Sequence, residues 1–236
     1  SPAPYFRTQE SYFGDLKYGK LAGLENASRP SEGDVTHLRA LYDGAVRAVD
    51  ASMYDLLHSL DISGELENTI VVITADHGET LYEGDFGAGH GDHLFGDNVI
   101  HVPLAFIAPG NKVGHVRELS ADVDLAPTLS SLAQIAPPSG LRGVNLENAL
   151  HGEAFKEHPI FAETGLWFST HVHGVDDSLR LPYPPIEMAT EVDPNGEMAL
   201  RPELAAITIA AKHRMMQTAT HKWVYMPTPT GPQFRV

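Results

Sequence analysis

Two adjacent residues, Asp76 and His77, have side chains that could bind one metal ion together. A carboxylate oxygen and a neutral imidazole nitrogen are common ligands of divalent cations. Gly78 follows them and lets the backbone turn away without a clashing Cβ. An isolated Asp-His-Gly tripeptide is more often simply the start of a loop, so its surroundings in the chain must decide whether it is a metal site.

The residues before Asp76 predict a strand that would carry the pair. Thr69 to Ala75 form a continuous apolar run rich in β-branched residues. Such a run is typical of a strand covered on both faces in a mainly parallel sheet. In open α/β sheets, ligands bind at the carboxyl ends of the strands. We therefore predict an α/β fold, with part of a mainly parallel sheet flanked by helices.

Other segments agree with this fold class. Apolar residues at steps of three and four predict a long amphipathic helix over Asp34 to Leu60, beginning near Ser31 and ending before Gly64. The segment between Gly84 and Gly96 is rich in Gly and His without periodicity, which predicts a loop. Further elements are expected after it, namely a strand over Val102 to Ala108, a helix over Asp122 to Ala133 and a short strand over Pro159 to Glu163.

The carboxyl-terminal third has a different pattern. Trp167 to about Pro202 contains many Pro and Gly residues and predicts irregular surface structure. Ala205 to Ala211 and His213 to Met226 are alternating or β-rich, with a turn at Thr220 to Lys222, which predicts a small C-terminal antiparallel sheet. We expect two parts, the α/β core in residues 1–165 and a truncated β subdomain in residues 166–236.

Composition narrows the function classes. The chain has 236 residues, 42% of them hydrophobic, and a formal charge of −15. This charge argues against nucleic acid or an anionic membrane as the main partner. No Cys is present, which excludes disulfides and thiolate ligands within the chain. No apolar run approaches the ~20 residues of a membrane span. The chain opens on Ser1 without a basic-then-apolar leader, so we expect a processed product or an excised fragment.

Five motifs in sequence resemble one family. Each is weak alone, but their order and spacing over roughly Gly33 to Glu163 resemble the carboxyl-terminal portion of the catalytic domain of sulfatases, in the alkaline-phosphatase-like superfamily. The motifs are Tyr42 to Asp50 on the long helix, Ile73 to Glu79, His90 to Phe95, Val102 to Leu104 with Ala108 to Gly110, and Asp122 to Leu129.

The resemblance implies roles for individual residues. Asp76 and His77 would be two ligands of a divalent metal, most readily calcium, with manganese, magnesium and zinc as alternatives. Glu79 would hydrogen-bond backbone or ligand side chains rather than bind the metal. His90 would be the catalytic group that assists departure of the alcohol, and His93 is a second candidate for that position.

The resemblance also shows what the chain lacks. Sulfatases use a formylglycine nucleophile made from Cys or Ser in a short motif upstream, and this chain contains no such motif. The nearest match begins at Ser1 and fails because Tyr5 stands where Arg belongs. An amino-terminal acidic pair that completes the metal site is missing too. We expect a fragment that is inactive without the amino-terminal part of the same enzyme.

Three functions remain open at this point. The first is a sulfuric ester hydrolase acting on a sulfate ester. The second is a phosphoesterase or phosphoethanolamine-type transferase of the same superfamily, and the third is a non-catalytic sulfatase-like binding module. His171 and His173 form a pair on one predicted strand face, and we interpret them as surface residues. We interpret Asp124 as a helix cap. The family favours a periplasmic, secreted or membrane-anchored parent, although the sequence itself does not set a compartment.

Overall fold

The computed structural model describes residues 30–84, 87–91, 93–111, 114–153, 157–165, 176–182 and 184–236. These residues fall into two compact units. The first unit contains the described residues of Ser1–Leu66, Glu79–His90 and Ser169–Asp177. The second contains those of Glu67–Gly78, Gly91–Phe168 and Ser178–Val236. The histidines at 171 and 173 and the segment from Ser1 to Tyr5 lie outside the described residues.

Helices and short strands make up both units. The α-helices of the described residues are α1 (Glu32–Ile62), α2 (Leu125–Leu132), α3 (Glu147–Leu150), α4 (Ile186–Ala189) and α5 (Pro202–Ala210). The strands are β1 (Val71–Thr74), β2 (Thr80–Leu81), β3 (Ala88–Gly89), β4 (Leu104–Ile107), β5 (Ile160–Glu163), β6 (Thr190–Val192), β7 (Met198–Leu200), β8 (Arg214–Gln217), β9 (Lys222–Met226) and β10 (Gln233–Arg235). None of the helices in the described ranges is long and apolar enough to cross a bilayer.

Helix α1 dominates the first unit and confirms the predicted long helix. Its start is a capping box, in which the Asp34 N–H donates to Ser31 Oγ at 3.2 Å and the Ser31 N–H donates to Asp34 Oδ2 at 3.2 Å. Val35 and Leu38 in its first turns are buried against Tyr82, which follows β2. The beginning of α1 is therefore fixed both by its cap and by its packing.

Strand β1 pairs with β4 in the second unit, and the pairing is antiparallel. The register places Val71 opposite Ile107 and Thr74 opposite Leu104. Both predicted strands are thus confirmed, but no parallel pair occurs among the described residues, and a mainly parallel sheet stays a prediction. The expectation that both faces of β1 are covered is not met within this chain, because β1 is only half-buried and has one neighbouring strand.

The predicted C-terminal antiparallel sheet is confirmed. It has four strands in the order β10-β9-β8-β5, and all its neighbours are antiparallel. Thr218 to His221 form the turn between β8 and β9, where the Thr218 N–H donates to the His221 carbonyl at 2.8 Å. Strand β5 precedes residue 165, so this sheet draws on both predicted parts of the chain. The boundary between residues 165 and 166 stays a prediction.

Two predictions for the carboxyl-terminal third are wrong. Residues 205–211 lie mostly in α5 and not in a strand, because Pro202 at the first helical position and the Ala and Leu residues favour a helix over the β-branched Ile and Thr. Part of the region predicted to be irregular is a hairpin of β6 and β7. Its turn is stabilised by Asp193 Oδ1, which accepts the Asn195 and Glu197 N–H groups at 2.8 and 2.9 Å.

Candidate functional site

Asp76 and His77 stand just after the carboxyl end of β1, as predicted. Both side chains are exposed, Asp76 more so than His77. Asp76 Oδ1 accepts the His77 N–H at 3.1 Å, and Asp76 Oδ2 lies 3.6 Å from His77 Nε2. Two ligand atoms at the ~2.3–2.6 Å typical of calcium, set about at a right angle, would lie about 3.3 to 3.7 Å apart. The pair therefore has the spacing of two ligands of a single metal ion.

A backbone contact determines which nitrogen of His77 carries the proton. Nδ1 lies 2.8 Å from the carbonyl oxygen of Gly78. A carbonyl oxygen can only accept, so Nδ1 is the donor, and in the neutral imidazole Nε2 then holds the lone pair. Metal-binding histidines are commonly oriented by such a hydrogen bond from the other ring nitrogen. The donor set of Asp76 and His77 thus fits a divalent cation, although two ligands do not complete its coordination.

Gly78 is required by a close approach of the backbone. A Cβ at this position would lie 1.9 Å from the carbonyl oxygen of Asn98. The Gly78 N–H donates to the carbonyl of Val99 at 3.0 Å, which ties the segment after β1 to the turn before β4. The tripeptide is therefore not simply the start of a loop. Its glycine is a packing requirement that fixes the backbone directly after His77.

A second acid, Asp122, lies close enough to this pair to feel the charge of Asp76, and the sequence did not indicate it. It stands in the 3-10 turn Asp122–Asp124 that leads into α2. Burial, followed by the negative charge of Asp76, raises the pKa of Asp122 above its ordinary value. No spacing rule connects two residues so far apart in the sequence, so only the folded chain shows that these carboxylates are neighbours.

In the first unit, Glu79 and His90 form a carboxylate–imidazole pair. Their proximity follows from the hairpin of β2 and β3, in which Thr80 pairs with Gly89. Glu79 directly precedes β2 and His90 directly follows β3, so they are the next pair of positions in the hairpin. Glu79 Oε2 accepts a hydrogen bond from His90 Nδ1 at 2.8 Å. His90 is half-exposed. Glu79 thus contacts a predicted catalytic residue and orients its ring through Nδ1.

His93 has a different environment in the second unit. It is only 5% exposed and stacks on Phe95, with the ring centroids 5.7 Å apart. Burial, and next the charge of His213, lower the pKa of His93 from 6.5 to about 4. Its Nδ1 accepts the Phe95 N–H at 3.3 Å, so the proton of the neutral ring lies on Nε2. Near neutral pH, His93 is a hydrogen-bond donor and not a cation.

Comparisons of the sequence with a family model and with known proteins all give sulfatases. A family model described as Sulfatase matches residues 4–135. Arylsulfatase K of Mus musculus is 30% identical over 148 residues, which cover 61% of this chain and 26% of that protein. The Delta 4,5-hexuronate-2-O-sulfatase of Bacteroides thetaiotaomicron is 29% identical over 180 residues, covering 74% of this chain and 36% of that protein. The chain thus spans about a quarter to a third of the length of these relatives.

The fold of the chain resembles that of solved structures. A phosphonate monoester hydrolase from Silicibacter pomeroyi superposes with a TM-score of 0.65 at 24% identity, covering 88% of this chain and 36% of that chain. This likeness concerns the α/β fold alone. Since the family model spans more than half of the 236 residues, the chain belongs to the sulfatase family.

Proposed function

We propose that this chain is the carboxyl-terminal part of the catalytic domain of a metal-dependent sulfuric ester hydrolase. The observation that carries the proposal is the pair of Asp76 and His77 at the end of β1, with the lone pair of His77 Nε2 3.6 Å from a carboxylate oxygen. Both relatives described above are sulfatases by name. The substrate would be a sulfate ester, and the chain by itself would be inactive.

Asp76 and His77 would hold the divalent metal, with calcium as the first candidate and manganese, magnesium or zinc as alternatives. When bound, the cation would stabilise negative charge on the nucleophile and on the nonbridging oxygens of the ester. The formylglycine nucleophile and the remaining ligands would come from the amino-terminal part. Asp76 supplies an anionic oxygen, and the Gly78 carbonyl accepts from His77 Nδ1, which places the lone pair of the neutral ring on Nε2.

His90 is our first candidate for the group that assists the leaving alcohol. Protonated His90 would donate the Nε2 proton to the ester oxygen as its bond to sulfur breaks, while Glu79 accepts from Nδ1 and compensates the positive charge. Its half-exposed ring can exchange protons with solvent. His93 remains the second candidate, in the role of a neutral donor through Nε2, because its low pKa excludes an imidazolium at neutral pH.

Exposed apolar residues on α1 and the small size of the β1–β4 sheet support the proposal that an amino-terminal part of the enzyme packs against this chain. On α1, Val46, Val49 and Leu56 are 52%, 58% and 60% exposed, although they continue the stripe that buries Val35 and Leu38. The sheet of β1 and β4 has only two strands, and two-stranded sheets are marginally stable in water. We propose that further strands, arranged in a mainly parallel sheet, cover β1 in the whole enzyme.

The two other functions are distinguished by the reaction. A phosphoesterase or phosphoethanolamine-type transferase would use the same metal pair on a phosphate ester, and an imidazole ligand is slightly better suited to its softer manganese or zinc. A non-catalytic binding module would have neither a tight metal nor any hydrolysis. The imidazole of His77 therefore does not decide between the sulfatase and the phosphoesterase, whereas the identity of the upstream nucleophile would.

The test uses the full-length parent protein. Its hydrolysis of an aryl sulfate, an aryl phosphate and an aryl phosphonate would be compared before and after metal chelation, and peptide mapping would show whether formylglycine is present upstream. We expect metal-dependent cleavage with a preference for the sulfate. A preference for phosphate, with Thr as nucleophile, would replace the proposal by the transferase, and no cleavage of any ester would replace it by the binding module.

The roles of the two histidines are tested in the same assay. We expect His90→Gln to lower kcat by about 100-fold, since general acid catalysis contributes about that much. Glu79→Gln should also lower kcat, because His90 Nδ1 loses its carboxylate partner. His151→Gln, a change of a partly exposed histidine on the surface, is the matched control. An unchanged kcat in His90→Gln together with a large loss in His93→Gln would assign the role to His93.

A further inference from the structure

Lys222 connects the C-terminal sheet to the segment that bears His93. It is the first residue of β9 and pairs in register with Gln217, so its backbone is held by the sheet. Its side chain is only 20% exposed. The ammonium donates to the carbonyl of Gly96 and lies 3.2 Å from Asp97 Oδ1. The ammonium thus has both a hydrogen-bond acceptor and a carboxylate partner and is largely covered from solvent. Charge-assisted contacts of this kind are strong, and we call this one the Lys222 link.

The same sheet contacts this segment at further points. We name residues 93–97 the His93 loop. The ring centroid of Phe95, at the centre of this loop, lies 5.9 Å from that of His213. The Arg235 guanidinium lies over the Phe95 ring, 4.8 Å from its centroid. Just before the loop, the carbonyl of Gly91 accepts the Gly165 N–H at 2.8 Å. Strand β9, strand β10 and the residues that flank β5 and β8 therefore hold the loop from one side.

The link at Lys222 also reaches the backbone after the loop. The Asp97 carbonyl accepts the N–H groups of Ile100 and His101 at 3.0 and 2.7 Å and so forms a helical turn before β4. Holding Gly96 and Asp97 thus fixes the junction between the His93 loop and this turn. Gly96 has a φ of +73°, which glycine adopts readily but does not strongly prefer, so the contacts of Lys222 help to hold this conformation.

We infer that Lys222 is a positioning residue, whose ammonium fixes the His93 loop to the C-terminal sheet and thereby sets where the His93 imidazole lies. The inference rests on the proposed function in one respect, namely that His93 belongs to the active site of the whole enzyme. The physical link itself can be tested without any activity.

The test is hydrogen exchange in Lys222→Met, which retains the length of the apolar stem and removes the charged donor. We expect the amides of Phe95, Ile100 and His101 to exchange about tenfold faster or more, because hydrogen bonds of charged groups contribute strongly to local stability. Lys222→Arg should restore slow exchange. In the whole enzyme, Lys222→Met should lower kcat and leave KM nearly unchanged.

Lys212→Met is the matched control. Lys212, which lies just before β8 of the same sheet, has a comparably covered side chain, and its ammonium lies 2.7 Å from Glu163 Oε1. We expect this variant to leave exchange in the His93 loop at the wild-type rate. If Lys222→Met fails to fold, Asp97→Asn weakens the same link from the side of the loop. The pKa of His93 provides a second readout, since loss of a neighbouring positive charge should raise it in Lys222→Met but not in Lys212→Met.

The inference is overturned if loop exchange in Lys222→Met equals that of the wild type, or if Lys212→Met accelerates it equally. The proposed function fails separately, if the whole wild-type enzyme hydrolyses no ester. In that case the exchange result still decides whether Lys222 holds the loop.

Discussion

Replacing His93 with Gln should make the protein less sensitive to acid. The ordinary pKa of 6.5 applies to His93 in the unfolded chain, whereas burial and the charge of His213 lower it to about 4 in the folded chain. Between these values the unfolded state binds more protons than the folded state, so stability falls as the pH falls through this window. Above about pH 6.5, the ring is neutral in both states and this effect disappears.

The magnitude follows from the shift. A lowering from 6.5 to about 4 corresponds to roughly 3 kcal/mol of unfolding free energy, at about 1.4 kcal/mol per pKa unit. Gln fills a similar volume and does not titrate. The wild type should therefore lose about 3 kcal/mol more than His93→Gln between about pH 7 and pH 4. His213, whose pKa burial also lowers, contributes in the same direction to both proteins, so the difference between them reports on His93.

The assay is urea-induced unfolding at a series of pH values for both proteins, with His151→Gln as a control. His151 has a partly exposed side chain beside Glu147, so this control shows the effect of removing a histidine outside the buried core. An NMR titration of the His93 ring proton gives the pKa directly. Parallel stability curves for wild type and His93→Gln, or a titration midpoint near 6.5, would refute the reasoning.

Three further predictions concern the residues around β1 and α2. Asp76→Asn in the full-length protein should strongly reduce its content of divalent metal, because a neutral amide is a weaker ligand, and unchanged metal by elemental analysis would remove Asp76 from the site. Gly78→Ala should destabilise the protein by about 2 kcal/mol or more, because its Cβ would lie 1.9 Å from a backbone carbonyl oxygen. The control is Gly33→Ala in the first turn of α1, where a Cβ would make only an ordinary contact of 3.7 Å with Ser31 Oγ. It should change the unfolding free energy by less than about 1 kcal/mol in the same thermal or urea unfolding experiment, and equal losses in the two variants would contradict the steric explanation. Asp124→Asn should lower the free energy of unfolding by about 2 to 4 kcal/mol, because this fully buried carboxylate accepts two backbone N–H groups at 2.9 and 2.7 Å. A decrease below about 0.5 kcal/mol would show that the negative charge is not needed for stability.

The elements with strong local signals could be predicted from the sequence. The helix α1 combines an apolar repeat with a capping box at Ser31, and β1 is an apolar β-branched run, so short-range preferences and tertiary packing agree there. The helix α5 could not be predicted in the same way. Its β-branched residues suggest a strand, and the helix is decided by Pro202 at its start and by the surrounding structure.

The site shows the same division. Asp76 and His77 are neighbours in the chain, so their shared position at a strand end follows from the sequence. The choice of His77 tautomer does not, because it depends on the distance from Nδ1 to one carbonyl oxygen. Nor does the effect of the Asp76 charge on Asp122, which depends on how the fold places two residues far apart in the sequence.

The sequence by itself determined the family, through motifs in a fixed order, and the long helix, through a local apolar repeat. It also predicted Asp76 and His77 as a metal-binding pair, because they are neighbours in the chain. The tertiary structure decided what the two histidines can do. His90 meets Glu79 through hairpin register and stays accessible to water, whereas burial keeps His93 neutral. It also decided that Lys222, far away in the sequence, holds the His93 loop. Burial and long-range contacts set charge and position, and neither can be read from local spacing.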